Sequence, residues 1–381
     1  MDFTLTEEQQ MIKQTARDFA ESALKDSVIE RDEQASFPAE AVRQLGEMGF
    51  LGMLAPEEYG GAGLDTLSYV LALEEIARVD AATCIIMSVT NSLCQMGLIT
   101  WGTEEQKQKY LVPLAKGEKL GAYSLSEPQS GSDAANMHSY AEKKGDYYLL
   151  NGTKNWVTNG KNADTYIVFA LTEKGIGHKG VSAFIIEKGM DGFTTGKKEN
   201  KLGIRSSDTC ELIFKDCKIP AENLLWEEGK GFNIAMFILN GGRIGVAAQS
   251  LGIARAALEK SIAYAKEREQ FNRPIADFQA VQFKLAQMGM EIEAARLLTY
   301  QAAVKKDTGA KVAKEASMAK CFASDTAMRA ANDAVQIFGG YGYITEYGVE
   351  RLMRDAKITQ IYEGTNEIQR VVIARELLRD A

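Results

Sequence analysis

The hydrophobic period of this 381-residue chain changes twice, and no other feature of the sequence constrains its fold as tightly. Up to about residue 118, apolar residues recur at helical spacing, as in Met11, Ile12, Ala16, Phe19, Ala20 and Ala23. Thr6-Glu7-Glu8-Gln9 and Thr103-Glu104-Glu105-Gln106 both have the Thr-x-x-Gln form of a capping box, in which two side chains satisfy free N–H groups at a helix start. Pro38 suits a first helical turn, and Gly60, Gly61 and Gly63 mark a loop. From Gly121 to about Trp226 the pattern becomes strand-like, with short apolar runs at 166–170, 181–186 and 209–214. Within 147–154, Asn151-Gly152 predicts a hairpin turn. After Gly229 and Gly231 the chain is rich in good helix formers, and the spacing predicts helices over 231–267, 275–307, 309–338, 347–358 and 365–379.

The expected fold class is therefore mainly α with a central β-domain. An N-terminal helical domain (1–118) precedes the β-domain (119–227) and a C-terminal helical bundle domain (228–381).

Composition removes several functions. A net charge of −8 argues against nucleic acid as a main partner, since backbone phosphates require a basic face. The five cysteines are odd in number and form no CxxC, so a disulfide framework is not expected. With two histidines and no HExxH, neither a metal site nor a His-centred triad is expected. The N-terminus enters a polar helix pattern without a targeting leader, and no stretch reads as apolar over the roughly 20 residues of a membrane span. The expected location is cytoplasmic.

Four segments and a set of arginines carry candidate chemistry. Tyr123-Ser124-Leu125-Ser126-Glu127-Pro128-Gln129-Ser130-Gly131-Ser132-Asp133 crowds hydroxyls, Gly and Pro into a loop that can present donors to an electron-rich group. A solvated turn-rich loop explains the same composition. In Asn155-Trp156-Val157-Thr158 a strand points Trp and Thr to one face, which suits a flat heteroaromatic ring and equally suits a core Trp beside an edge Thr. Gln336-Ile337-Phe338-Gly339-Gly340-Tyr341-Gly342 permits close backbone approach to a ligand, or simply ends a helix. In Ile361-Tyr362-Glu363-Gly364-Thr365-Asn366-Glu367 a carboxylate follows apolar and aromatic neighbours in a link between helices. Buried there, it would have a raised pKa and serve as a base; exposed, it would be an ordinary loop Glu. Arg243, Arg268 and Arg273 suit phosphates or surface ion pairs.

In this order and spacing, with YAKEREQF at a helix end and IYEGTNEIQR near the C-terminus, these segments resemble the acyl-CoA dehydrogenase family over essentially the whole chain. The run GRIGVAAQSLGIARAALE is most similar to the short-chain, butyryl-CoA branch. The resemblance implies a helical, β-barrel-like, then four-helix-bundle subunit, assembled as a homotetramer built as a dimer of dimers. It implies FAD as cofactor, an acyl-CoA substrate, an electron-transferring flavoprotein as partner, and a place in fatty-acid β-oxidation.

It also implies roles residue by residue. Glu363 matches the catalytic base. Tyr123, Leu125, Ser126, Gly131, Ser132, Trp156, Val157 and Thr158 match residues lining the flavin. Arg268, Phe271, Gln279, Gln336, Ile337, Gly339 and Gly340 match contacts to the rest of FAD, some made across a dimer. Thr365, Asn366 and Glu367 match further FAD contacts. Ser132, Asn240, Arg243, Tyr362 and Gly364 match the substrate side. Many relatives have Asp where this chain has Asn240, which leaves that contact open. Some carry the base at the position of Gly242 instead. An acyl-CoA oxidase on the same fold and a non-catalytic acyl-CoA binding protein are the alternatives; Glu363 argues against a flavin monooxygenase relative.

Overall fold

The computed structural model of the chain describes residues 4–380. Eight α-helices form the N-terminal part: α1 (Glu7–Phe19), α2 (Val28–Gln34), α3 (Ala39–Glu47), α4 (Thr66–Val79), α5 (Ala81–Ser88), α6 (Met96–Trp101), α7 (Glu104–Gln106) and α8 (Val112–Ala115). Both expected capping boxes are closed, with Gln9 N–H and Gln106 N–H each donating to the Thr hydroxyl at 3.2 Å. Pro38 immediately precedes α3. Between α5 and α6 the helix widens into a π-helical stretch, Val89–Gln95, buried throughout.

The strands of the central region are β1 (Gly121–Ser124), β2 (Tyr140–Lys144), β3 (Tyr147–Thr158), β4 (Thr165–Leu171), β5 (Val181–Glu187), β6 (Phe193–Lys198), β7 (Thr209–Pro220) and β8 (Leu224–Leu225). They form one sheet in the order β6-β7-β3-β2-β4-β5-β8, with β1 parallel to β4. The expected hairpin turn at Asn151-Gly152 is not there. The β2–β3 turn lies six residues earlier, at Gly145 (φ 69°), and Asn151-Gly152 sits inside β3 at a bulge between Leu150 and Gly152. The glycine answers a crowding problem rather than a turn: a β-carbon on Gly152 would lie 2.2 Å from the Ser139 hydroxyl. A second bulge, between Lys154 and Val157, places Trp156 at φ 62°.

The C-terminal part comprises α9 (Gly231–Glu267), α10 (Gln279–Asp307), α11 (Ala313–Phe338), α12 (Val349–Thr359) and α13 (Asn366–Asp380). Helices α10 and α11 each start four residues later than expected. Ile275–Asp277 forms a 3-10 turn before α10, because Phe278 is extended (φ −88°, ψ 126°); Gly309 is left-handed (φ 74°) ahead of α11. The observed architecture is helical with a central sheet, as the hydrophobic period required. One core joins the N-terminal helices, α9–α12 and one side of the sheet; a second core lies within the β-region. α9 is the axis, packed by α4, α10, α11 and α12.

One expectation needs correcting. Ala81–Trp101 and Gly231–Glu267 are both long and apolar enough to cross a membrane, but their apolar windows are 89% and 83% buried inside the protein. Their hydropathy comes from being core helices.

Candidate active site

Glu363 stands in the short link between α12 and α13, in the left-handed region (φ 53°), followed by Gly364 (φ 91°). A non-glycine residue held there costs on the order of 1–3 kcal/mol, so its surroundings must impose it. Side chains from three helices do so. Gln369 Nε2 (α13) donates to the carbonyls of Glu363 (3.2 Å) and Gly364 (2.8 Å). Arg243 Nε (α9) donates to the Glu363 carbonyl at 3.4 Å, and Lys320 Nζ (α11) to the Gly364 carbonyl at 2.8 Å. The Glu363 backbone N–H meets no acceptor among the described residues.

The carboxylate points inward. Oε2 is buried without a hydrogen-bond partner, and burial pushes the Glu363 pKa up to about 7, partly offset by the charges of Lys320 and Arg243. The space it occupies exists because residue 242 is glycine: a β-carbon there would lie 1.9 Å from Oε2 and 2.6 Å from Leu93 Cδ2. Burial, then the charge of Glu363, raises the pKa of both Tyr123 and Tyr362. Tyr362 donates its hydroxyl proton to Gln249 Oε1, while the Tyr123 hydroxyl is buried and unpartnered. The site thus holds a carboxyl group raised to about 7 among apolar and phenolic walls.

Beside it lies the loop that opens the β-region. Asn155 N–H donates to the Ser126 carbonyl at 2.9 Å, which joins this loop to the strand carrying Trp156 and Thr158. The loop is pinned by an ion pair absent from the candidate residues: Lys154 Nζ lies 2.7 Å from Glu127 Oε1, both side chains buried. Lys154 also donates to the Leu125 carbonyl (3.1 Å), and Glu127 accepts the backbone N–H groups of His138 (2.6 Å) and Ser139 (3.0 Å). A sequence signal existed: Lys154 occupies an inward position on a strand whose Tyr148, Leu150 and Val157 are buried.

These surfaces suit a planar polar cofactor. Trp156 is 64% exposed and held in a strained backbone conformation. The Thr158 hydroxyl has no protein partner among the described residues. Gly131 is exposed, with nothing within 4 Å of where a β-carbon would stand. Leu125 and Val157 are buried behind this surface, and Ser132 is exposed on the loop.

The remaining candidates fall elsewhere. Arg268, Phe271, Gln279, Gln336, Gly339 and Gly340 are exposed, while Ile337 is buried, where α9, α10 and α11 end or begin. Phe271 is 88% exposed at φ 53°. Gly339 (φ 61°, ψ −133°) takes a conformation that only glycine adopts readily. Arg268 lies over the Tyr341 ring (5.5 Å) and Arg273 over Phe278 (4.3 Å), and among the described residues neither forms an ion pair. No hydrogen bond or ring contact among the described residues joins this group to Glu363 or Trp156 within one chain.

Arg243 is buried, its NH1 donating to Asn240 Oδ1 at 3.0 Å. Thr365 accepts the Ile368 N–H at 3.3 Å and caps α13. Glu367 is exposed. The Asn366 amide is engaged by Lys320, Ser324 and Asp325, which makes it an internal anchor. Lys320, Gln249 and Gln369 are site residues that the sequence reading did not single out. Lys320 lies on the buried stripe of α11 with Ala316, Ala319, Ala323 and Ala327, an unusual place for a lysine.

Comparison with known proteins agrees with this geometry. The chain matches the acyl-CoA dehydrogenase N-terminal domain over residues 6–118, the middle domain over 122–217 and the C-terminal domain over 229–378. It is 52% identical to "Acyl-CoA dehydrogenase, short-chain specific" of Clostridium acetobutylicum, covering 100% of both chains. Butyryl-CoA dehydrogenase from Megasphaera elsdenii has the same fold, with TM-score 0.98, 54% identity and 100% coverage of both chains. A chain solved in work on "Electron transferring flavoprotein of Acidaminococcus fermentans" superposes with TM-score 0.99 at 57% identity, again over 100% of both.

Proposed function

Because the chain belongs to the acyl-CoA dehydrogenase family, we propose that it desaturates short-chain acyl-CoA thioesters between the α and β carbons, with FAD as cofactor and an electron-transferring flavoprotein as electron acceptor. The observation that carries this reading is the buried, unpartnered Glu363 carboxylate held against Gly242. Relatives named as short-chain acyl-CoA dehydrogenases, similar over the full length, support the substrate class.

An α C–H beside a thioester is a weak acid, so the site must both remove the proton and stabilise the charge that develops on the thioester oxygen. Oε2 of Glu363 has no competing partner and takes the proton. The free backbone N–H of the same residue is available to the thioester oxygen. A donor so placed is worth about 2.7–4 kcal/mol in other enzymes. Bound FAD supplies the acceptor for the hydride that leaves the β-carbon. Trp156, Thr158, Ser126 and the loop from Tyr123 to Ser132 would hold its ring, with Thr365 and Glu367 nearby. Tyr362, fixed by Gln249, and Leu93 line the apolar side of the site.

An exposed apolar seam on α10 supports the proposed assembly. Phe283, Met290, Leu297 and Val304 are exposed at every seventh position, the repeat of a helix seam that seats another helix. A second copy of the chain covers it in the proposed homotetramer, where Arg268, Phe271, Gln279 and Gln336–Gly340 reach a neighbour's FAD. The cytoplasm is the proposed location.

Anaerobic titration of the holoenzyme tests the reading. Butyryl-CoA bleaches the flavin, and in turnover with an electron acceptor it has a higher kcat/KM than palmitoyl-CoA. The reverse order removes the short-chain assignment. Oxygen consumption at the rate of turnover replaces the dehydrogenase with an oxidase.

A further inference from the structure

The support behind Glu363 contains a cation that the proposed chemistry does not use. Lys320 is fully buried on α11. Its Nζ donates to the Gly364 carbonyl at 2.8 Å and to Asn366 Oδ1 at 2.9 Å. Both acceptors are neutral, so the ammonium is buried without a directly bonded carboxylate. Burying a charge is costly unless something compensates it, and a methionine would fill the same space without that cost. Structural need alone therefore explains this lysine poorly. The hydrogen bond goes to the residue after Glu363, one peptide from the base, at a turn where both residues are left-handed.

We infer that Lys320 is a positioning residue for the base: it holds the Gly364 carbonyl, and with it the turn that aims the Glu363 carboxylate and N–H, while its charge favours the ionised carboxylate without touching it. The inference rests on Glu363 being the base.

The charged and titratable groups facing Glu363 are Lys320 from α11, Arg243 from α9, Tyr123 from β1, Tyr69 from α4 and its neighbour Tyr362. Those facing Lys320 are Glu363, Cys321, Arg243, Asp325 and Glu367. Among the described residues, Lys320 and Arg243 oppose protonation of the base, and Arg243 is also bonded to Asn240. Burial draws Lys320 down to about 8, with Glu363 the first charge working against that shift. The two groups thus titrate in adjacent ranges, and each favours the other's charged form.

The test uses FAD-loaded enzyme with Lys320→Met, Lys320→Gln and Lys320→Arg. Lys320→Gln keeps a donor for the Gly364 carbonyl and loses the charge; it serves where Lys320→Met fails to fold. FAD content and the urea midpoint report integrity, and kcat/KM for butyryl-CoA is followed against pH. In the neutral variants the rising limb moves to higher pH by roughly one unit, since a nearby opposite charge holds a carboxylate down by 1–3 units. Lys320→Arg stays near the wild-type midpoint. An unmoved midpoint in an intact neutral variant overturns the role, whatever the loss of rate, and leaves the base assignment standing. The base assignment fails separately, if Glu363→Gln reduces the flavin at the wild-type rate.

Discussion

A β-carbon on Gly242 would lie 1.9 Å from Oε2 of Glu363, so a helix residue and a loop residue 121 positions apart compete for one space. Whichever backbone supplies a side chain there excludes the other. The pairing of a glycine on α9 with a glutamate in the α12–α13 link is a single structural choice, and it governs the first two predictions.

Gly242→Ala puts a methyl group into that space and against Leu93 Cδ2, 2.6 Å away. The carboxylate must turn aside while the FAD-lining residues stay in place. Flavin content is retained, and stopped-flow flavin reduction by butyryl-CoA slows by about 10²-fold, the scale of a 1 Å misplacement. Reduction at the wild-type rate would mean the carboxylate is not needed where it stands.

Glu363→Gln keeps shape and polarity but cannot accept the proton. It binds FAD and acyl-CoA and loses about 10²–10⁴-fold in flavin reduction. Gly242→Glu combined with Glu363→Gly returns a carboxylate to the same space from α9 and recovers part of the loss. If the double variant is no faster than Glu363→Gln, the two supports are not interchangeable in this chain.

Activity depends on pH through the same group. Burial raises Glu363 to about 7, and only its ionised form accepts a proton. Below that value the base is protonated, so kcat/KM rises about tenfold per pH unit and levels off above it. A profile that falls as pH rises through 7 would contradict a carboxylate base.

The Glu127–Lys154 pair makes a stability prediction. Lys154→Met leaves Glu127 buried without its cation, which costs about 3–5 kcal/mol in urea unfolding; adding Glu127→Gln restores much of it. Burial opposes ionisation of Glu127, but Lys154 and the His138 and Ser139 N–H groups outweigh it and hold its pKa down to about 2. The pair's contribution is therefore complete from the unfolded carboxylate value, about 4.3, up to about 8, the value to which burial draws Lys154, and is lost as pH falls towards 2. Wild type and Lys154→Met converge in stability over that window. An unchanged urea midpoint in Lys154→Met at neutral pH would show that the pair does not hold the loop.

The sequence by itself determined the fold class and the chemical vocabulary. The change from helical to strand period, the two capping boxes and the later breaks are local, and the backbone obeys them because caps and periodic faces act within a few residues. The Asn151-Gly152 turn failed for the opposite reason. Whether Asn-Gly turns or bulges depends on what approaches it, and Ser139 comes from another strand connection. Glu363 was legible as a carboxylate beside aromatic residues, but not as a buried one. Its raised pKa is a balance of burial against Lys320 and Arg243, which arrive from two other helices. Lys154 and Lys320 stood on apolar faces in the sequence, yet their partners, Glu127 and the Gly364 carbonyl, could be paired with them only once the elements packed. Periodicity encodes which face a residue presents. Desolvation and electrostatics sum over neighbours that only tertiary structure assembles, and that sum decides which of these residues becomes a base, an anchor or a support.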